Sequence, residues 1–438
     1  MREGHGGRDT GLVRVVTSRG LAASLINCII GAGIFAVPAE LANSAGVYAP
    51  VAFIVCAVAI GSIAICWAEG GSRIPTSGGA YGYIETAFGP CAGYIAGTIL
   101  WFSNALSSGG IAAALADIIA SVVPNRWMNP VHAVTIVGVI GAIAFVNLGG
   151  ASRGTRLVEG ATLAKLIPLA VFLVAGAGAM HRANFVQPEG LSSAGGSFLW
   201  GRAIILAVFS LTGMETALSI SGEISHPARA IPRALAMSLI PVTFLYLAIQ
   251  LVAQGVLGPA LAHSRTPLAD AMAAIHPALR WLILGGSAVA MFGFIGSDML
   301  STPRILFALA REGLMPGALG KVNPQTHAPH IAILCYAGLV TLLGVTGTFA
   351  ELVVLATLAT AVLYILGSAA AWRLARRGVE QAGPPLRFRY LTTAMVVAIL
   401  SMCGMIALGS RAEIFGVAGL IAVSALLYVV LTRFRRPA

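Results

Sequence analysis

Twelve stretches of this chain are apolar over about the 20 residues that a helix needs to cross a bilayer, and that pattern rules out a soluble fold. They cover residues 20 to 43, 48 to 69, 88 to 122, 131 to 148, 159 to 179, 203 to 222, 234 to 257, 282 to 303, 330 to 347, 350 to 372, 390 to 409 and 413 to 432. Across all 438 residues, 58% are hydrophobic and only 10% are charged. A soluble domain carries roughly 25% charged residues and has no core large enough for this much apolar surface. The 52 glycines fit membrane helices, whose backbones approach closely where side chains are small. The expected class is an all-α integral membrane protein with about twelve transmembrane helices.

The formal charge of +11 forms no nucleic-acid-binding patch, because the basic residues are spread over short segments between apolar stretches. With both termini placed in the cytoplasm, 20 of the 27 basic residues fall inside and six outside, the bias that sets membrane orientation. The remaining one, Lys165, lies within the fifth stretch. The expected location is therefore the cytoplasmic membrane, multi-pass, with both termini cytoplasmic. The polar segment before residue 20 lacks the apolar core of a cleaved signal peptide. Cys28, Cys56, Cys66, Cys91, Cys335 and Cys403 lie in or beside apolar runs without metal-ligand spacing, and read as small buried hydrophobes.

Two stretches carry interruptions. The first contains Ile30-Gly31-Ala32-Gly33-Ile34-Phe35 and then Pro38, although glycine and proline cost a helix interior roughly 1 and 3 kcal/mol each. This is either a tolerated kink at a small-residue helix contact or a discontinuous helix. In a discontinuous helix, the freed N–H groups at the start of the second half would bind an anion such as a carboxylate. The sixth contains Phe209-Ser210-Leu211-Thr212-Gly213-Met214-Glu215-Thr216. Paired breaks in corresponding segments point to a binding site near the bilayer midplane of an inverted-repeat transporter.

An ionisable group in a span needs a partner or a task. Lys165 either snorkels to the interface or serves as a coupling residue, replacing a bound sodium ion or exchanging a proton. Glu215 is either a structural carboxyl satisfied by amides of the unwound segment or a counter-charge for substrate. Asp298 in the eighth stretch is a possible partner of Lys165 or of a substrate amine. Glu69, Glu85, Asp117 and Glu223 fall near helix ends and read as interfacial. The eight histidines lie in loops or at span ends, and neither HExxH nor a Walker GxxxxGK[ST] motif occurs. No metal, cofactor or ATP site is expected, and the chain does not read as an enzyme.

Four segments in order resemble the amino acid, polyamine and organocation permease superfamily. They are Gly31-Ala32-Gly33-Ile34-Phe35; Arg73-Ile74-Pro75-Thr76-Ser77-Gly78-Gly79-Ala80-Tyr81-Gly82-Tyr83 with Ala87-Phe88-Gly89-Pro90; Phe209 through Arg233; and Thr302-Pro303-Arg304 with Ala308 through Pro316. The resemblance implies a leucine-transporter-type fold. Residues 20–180 and 203–372 would be two inverted five-helix repeats with discontinuous helices 1 and 6, preceded by a cytoplasmic tail at 1–19 and followed by two further helices at 390–432. By the same resemblance, amides of Ile30, Gly31, Ala32, Gly33 and Ile34 hold a substrate carboxylate, and carbonyls of Phe209, Ser210, Leu211 and Thr212 hold its amino group. Phe209 gates the site, and Lys165 stands where sodium-dependent members hold an ion. Pro303 departs from the usual serine. No cysteine lies between Pro124 and Pro130, so no disulfide-linked heavy chain is expected as a partner.

The expected function is secondary active, sodium-independent amino acid transport by proton symport or exchange. Its partners are an amino acid or amine substrate, membrane lipid and protons. Neutral amino acids are favoured because Phe209 and Met214 offer apolar walls; the alternative is a cationic amino acid or polyamine facing Glu215 and Asp298. A non-transporting nutrient sensor is a further alternative, disfavoured because only about six residues follow the last stretch, too few for a signalling tail.

Overall fold

The computed structural model describes residues 17–31, 33–74, 80–149, 165–185, 196–218, 224, 226–326, 328–381 and 384–433, and these fold as a helical bundle. The first apolar stretch is two helices, α1 (Ser18–Ile29) and α2 (Gly33–Ala45), followed by α3 (Ala49–Arg73), α4 (Ala80–Phe88), α5 (Pro90–Ala120) and α6 (Met128–Leu148). Next come α7 (Lys165–Ala177), then α8 (Gly196–Ser210), α9 (Met214–Ala217) and α10 (Pro227–Leu257). The remainder is α11 (Pro267–Ala273), α12 (Pro277–Ser301), α13 (Pro303–Arg311), α14 (His330–Thr346), α15 (Phe349–Arg376), α16 (Leu391–Ala407) and α17 (Arg411–Arg433).

Seven helical segments among the described residues are long and apolar enough to cross a membrane: Gly33–Arg73, Pro90–Ala120, Asn125–Leu148, Pro227–His263, Pro277–Arg311, Phe349–Arg376 and Arg411–Arg433. Of four shorter apolar helices, Lys165–Ala177, His330–Thr346 and Leu391–Ala407 fall within the fifth, ninth and eleventh apolar stretches, and Trp200–Ser210 overlaps the start of the sixth. At 1.5 Å per residue, the 17 residues of α14 or α16 reach about 26 Å, a little short of the ~30 Å hydrocarbon core. The bundle's outer surface is apolar on many helices, with Val58, Phe145, Val174, Phe244, Leu400 and Phe415 all more than half exposed. An apolar surface this extensive is stable only when lipid covers it.

Prolines set several helix starts. Pro90, Pro227, Pro267, Pro277 and Pro303 each occupy the first turn of α5, α10, α11, α12 and α13, where the missing N–H would have had no intrahelical partner. Pro303, the departure from the family pattern, therefore ends α12 and starts α13 at Thr302. The sequence reading began its third stretch at residue 88; a separate short helix, α4, precedes it, and Gly89 at φ 97° turns the chain into α5. Within the bundle, α15 packs along α5 and α3, α10 packs on α1 and α3, and α2 packs on α8. The two interrupted segments thus lie inside a wall of longer helices.

Two sequence expectations need correction. Glu69 is buried rather than interfacial: Arg73 Nη2 and Nε donate to its Oε1 at 2.6 and 3.1 Å, and the Phe388 amide donates to Oε2 at 3.0 Å. The spacing of Glu69 and Arg73 is one helical turn, and the segment after α15 folds back to cover the pair. Of the six cysteines, Cys91, Cys335 and Cys403 are exposed, because their helix faces form part of the outer apolar surface. Glu223 lies outside the described residues, while Asp117, near the end of α5, faces His132 at 3.6 Å.

Candidate substrate-binding site

The chain unwinds at both interruptions, and the unwound segments touch. Helix α1 ends where Ile30 adopts φ −74° and ψ 68°, and α2 begins three residues later at Gly33. Helix α8 ends at Ser210; the Leu211 and Thr212 amides then turn back onto the Val208 and Phe209 carbonyls at 2.9 and 3.1 Å. Gly213 follows at φ 119°, a conformation that residues with a Cβ rarely adopt. A Cβ there would stand 3.0 Å from the Cys28 carbonyl oxygen, so the absence of a side chain lets one break lie against the other.

Breaking α1 exposes its terminal carbonyls, and two side chains from other helices take them up. The Lys165 ammonium donates to the Asn27 carbonyl at 2.9 Å, the Asn27 side-chain oxygen at 2.5 Å and the Ile30 carbonyl at 2.6 Å. The Tyr246 hydroxyl donates to the Ile29 carbonyl at 2.8 Å. A cation at a helix C-terminus also meets the negative end of the helix dipole. Lys165 is 4% exposed, so it does not snorkel to an interface. Nor does it pair with Asp298, whose partners are all hydroxyls: Ser108 Oγ and Thr302 Oγ1 donate to it at 2.5 Å each, together with the Tyr336 phenol.

Glu215 opens the short helix α9 and closes the second break on itself. Both its oxygens accept the Gly213 amide at 3.1 Å, and the Tyr364 hydroxyl donates to Oε2 at 2.7 Å. These are the backbone contacts of a structural carboxyl, although Glu215 also borders the cavity. Phe209, which borders the cavity, meets Phe349 at the start of α15 edge to face, with centroids 6.2 Å apart.

One cavity is lined by Gly31, Gly33, Phe209, Ser210, Thr212, Glu215 and Asp298. Ile30, Ile34 and Leu211 are buried behind its wall, Lys165 sits beneath it under Asn27 and Ile30, and Ala32 lies outside the described residues. Met214, expected to form an apolar wall, is fully buried and does not reach the cavity. Sequence reading missed Asn27, Asn104, Ser107, Ile111, Phe294 and Ser297, which also line it. Asn104 and Ser107 stand one turn apart in a largely apolar helix, a polar pair that could have marked the cavity-facing side of α5.

Two touching helix breaks, an ammonium on the carbonyls of the first and a cavity between them make up the arrangement expected from the sequence. A family model for amino acid permeases matches residues 18–431. The chain belongs to the amino acid permease family. The permease is thus a multi-pass membrane transporter of the amino acid, polyamine and organocation superfamily, with the leucine-transporter-type fold that membership implies, and it is not an enzyme. It is 28% identical over 338 residues to an uncharacterized transporter of Mycobacterium tuberculosis, covering 72% of the permease and 70% of that protein. It is 25% identical over 390 residues to a branched-chain amino acid permease of Lactococcus lactis, covering 83% and 82% of the two chains. A methylthioribose transporter of Bacillus subtilis is 25% identical over 377 residues, covering 80% of each.

Proposed function

We propose that the permease is a sodium-independent secondary carrier of amino acids, driven by protons or by exchange, working by alternating access around the two breaks. In this reading all twelve apolar stretches span the membrane, as two inverted repeats of five followed by two further helices, with both termini cytoplasmic. The observation that carries the reading is the Lys165 ammonium seated on the carbonyls of Asn27 and Ile30. A sodium ion at that place would need oxygen ligands from the end of α1, and the lysine takes those oxygens for itself.

The Gly31 amide already donates to the Ile29 carbonyl at 2.7 Å, so the substrate carboxylate then lies at the start of α2, against the amide of Gly33, where the helix dipole favours an anion. Its ammonium lies against the second break. The Phe209 carbonyl already accepts the Thr212 amide at 3.1 Å and the Thr212 hydroxyl at 2.7 Å, and Leu211 lies behind the wall, so this contact falls to the carbonyl of Ser210. Phe209 acts as a gate with Phe349, and Glu215 holds the second break in shape. One relative is named for branched-chain amino acids and another for methylthioribose, so the kind of cargo follows from the cavity lining and not from the family name.

The test is uptake of labelled amino acids by purified protein in proteoliposomes. Replacing sodium by choline should leave uptake unchanged, while collapsing the pH gradient or removing counter-substrate should reduce it. Lys165→Ala should abolish proton-dependent uptake while ligand binding remains detectable. Binding without any movement of substrate would favour a sensor, and the reading is wrong if no amino acid moves under any gradient or counter-substrate.

A further inference from the structure

The cavity has a second end that the two breaks do not account for. Facing helices α5 and α12 bring Asn104, Ser107, Ser297 and Asp298 to it. Asp298 is only 5% exposed, and each hydroxyl bonded to it is neutral. Among the described residues, the partners of Glu215, on the second break, are likewise neutral: backbone amide and the Tyr364 phenol. Among the described residues, no lysine, arginine or histidine lines the cavity and neither carboxyl forms an ion pair. The nearby ammonium, Lys165, is committed to the carbonyls of α1.

Two buried carboxyls bordering one cavity without a lining cation call for positive charge on the ligand. An amino acid's own ammonium and carboxylate cancel, so a neutral amino acid brings no net positive charge to them. The free valences at this end suit a cation. A carboxylate offers about four lone-pair sites, and three hydroxyls occupy three of those on Asp298. The Asn104 amide nitrogen is committed to Thr302 Oγ1 at 2.9 Å, which leaves its oxygen as an acceptor. Between the two ends stands Phe294, whose ring would lie 2.7 Å from a Cβ placed on Gly31. Its face is an apolar wall along which the methylenes of a long basic side chain can lie.

We propose that this end of the cavity is a subsite for a second positive charge, with Asp298 as its anion, so that the permease selects basic amino acids. The proposal rests on the two breaks binding the α-carboxylate and α-ammonium. L-Lysine and L-norleucine separate it from the alternatives, since they share a chain length and differ by the terminal ammonium. Each is titrated against the purified permease, with ligand-dependent thermal stabilisation as the readout, because a ligand that binds only the folded state raises its apparent stability. Half-maximal stabilisation is expected at a concentration at least tenfold lower for lysine than for norleucine, and in Asp298→Asn that ratio should fall to near one. Norleucine matching or exceeding lysine on the wild-type protein would overturn the proposal, whether or not the variant folds, and so would a ratio unchanged in a folded Asp298→Asn. Stabilisation by norleucine alone would sink only the charge subsite, whereas no stabilisation by any of the twenty amino acids would remove the reading of the breaks and this proposal with it.

Discussion

Gly213→Ala should damage the permease out of proportion to the single methyl it adds. At φ 119° a residue with a Cβ is held in a sparsely populated conformation, which costs roughly 1–3 kcal/mol. The new methyl would also stand 3.0 Å from the Cys28 oxygen and 3.1 Å from its carbonyl carbon. That backbone cannot easily retreat, because Lys165 holds Asn27 and Ile30 and Tyr246 holds Ile29. Overpacking of this kind costs about 1–3 kcal/mol, so the two contributions together come to roughly 2–6 kcal/mol. Gly285→Ala is the matched control: Gly285 lies within α12 with no atom inside 4 Å of the added methyl, and there alanine gains roughly 0.5–1 kcal/mol. Melting curves of the two purified variants in one detergent should move in opposite directions, Gly213→Ala downward and Gly285→Ala level or upward. Amino acid binding to Gly213→Ala should weaken at least tenfold, as the breaks are pushed apart. A Gly213→Ala protein that melts and binds like wild type would show that the two breaks do not need this close approach.

Arg73→Met removes the cation from a buried pair and leaves Glu69 with the Phe388 amide, at a cost of about 3–5 kcal/mol; adding Glu69→Gln should recover part of the loss, as read by the yield of monodisperse protein and its melting midpoint. Tyr364→Phe deletes the hydroxyl donor of Glu215 and should destabilise by about 1–3 kcal/mol, with Glu215→Gln in the same background recovering stability because a neutral amide is cheaper to leave underbonded; equal melting of Tyr364→Phe and wild type would refute the role given to that bond.

The parts of the fold that were legible in the sequence are those written locally. Apolar runs gave the helices, Gly31, Gly33 and Pro38 gave the first break, and Thr212, Gly213 and Glu215 gave the second, since glycine and charge in an apolar run conflict with a continuous span. What was not legible depended on which helices face each other. Asn104, Ser107, Phe294 and Ser297 are ordinary residues of α5 and α12 until those helices meet across the cavity. The guess that Asp298 answers Lys165 matched opposite charges, but the lysine's partners are backbone carbonyls, which every residue has and no sequence marks. Met214 was placed in the cavity by its neighbours, and the turn at Gly213 directs it into the core instead. Glu69 was misjudged for a related reason, since the Phe388 amide that helps bury it lies 319 positions away.

Helix α15 has 28 residues and no proline, which makes it a rod about 42 Å long. At one end its Phe349 ring rests on Phe209, and part-way along its Tyr364 hydroxyl holds Glu215. Just past its other end, the chain is bolted to α3 where Arg73 donates to the Val379 carbonyl at 3.1 Å and accepts from the Gln381 amide at 2.9 Å. The ring contact with Phe209 and the fastening to α3 therefore hang on a single stiff lever. Tilting that lever strains both attachments together, and freeing one while the other stays shut requires the rod itself to bend.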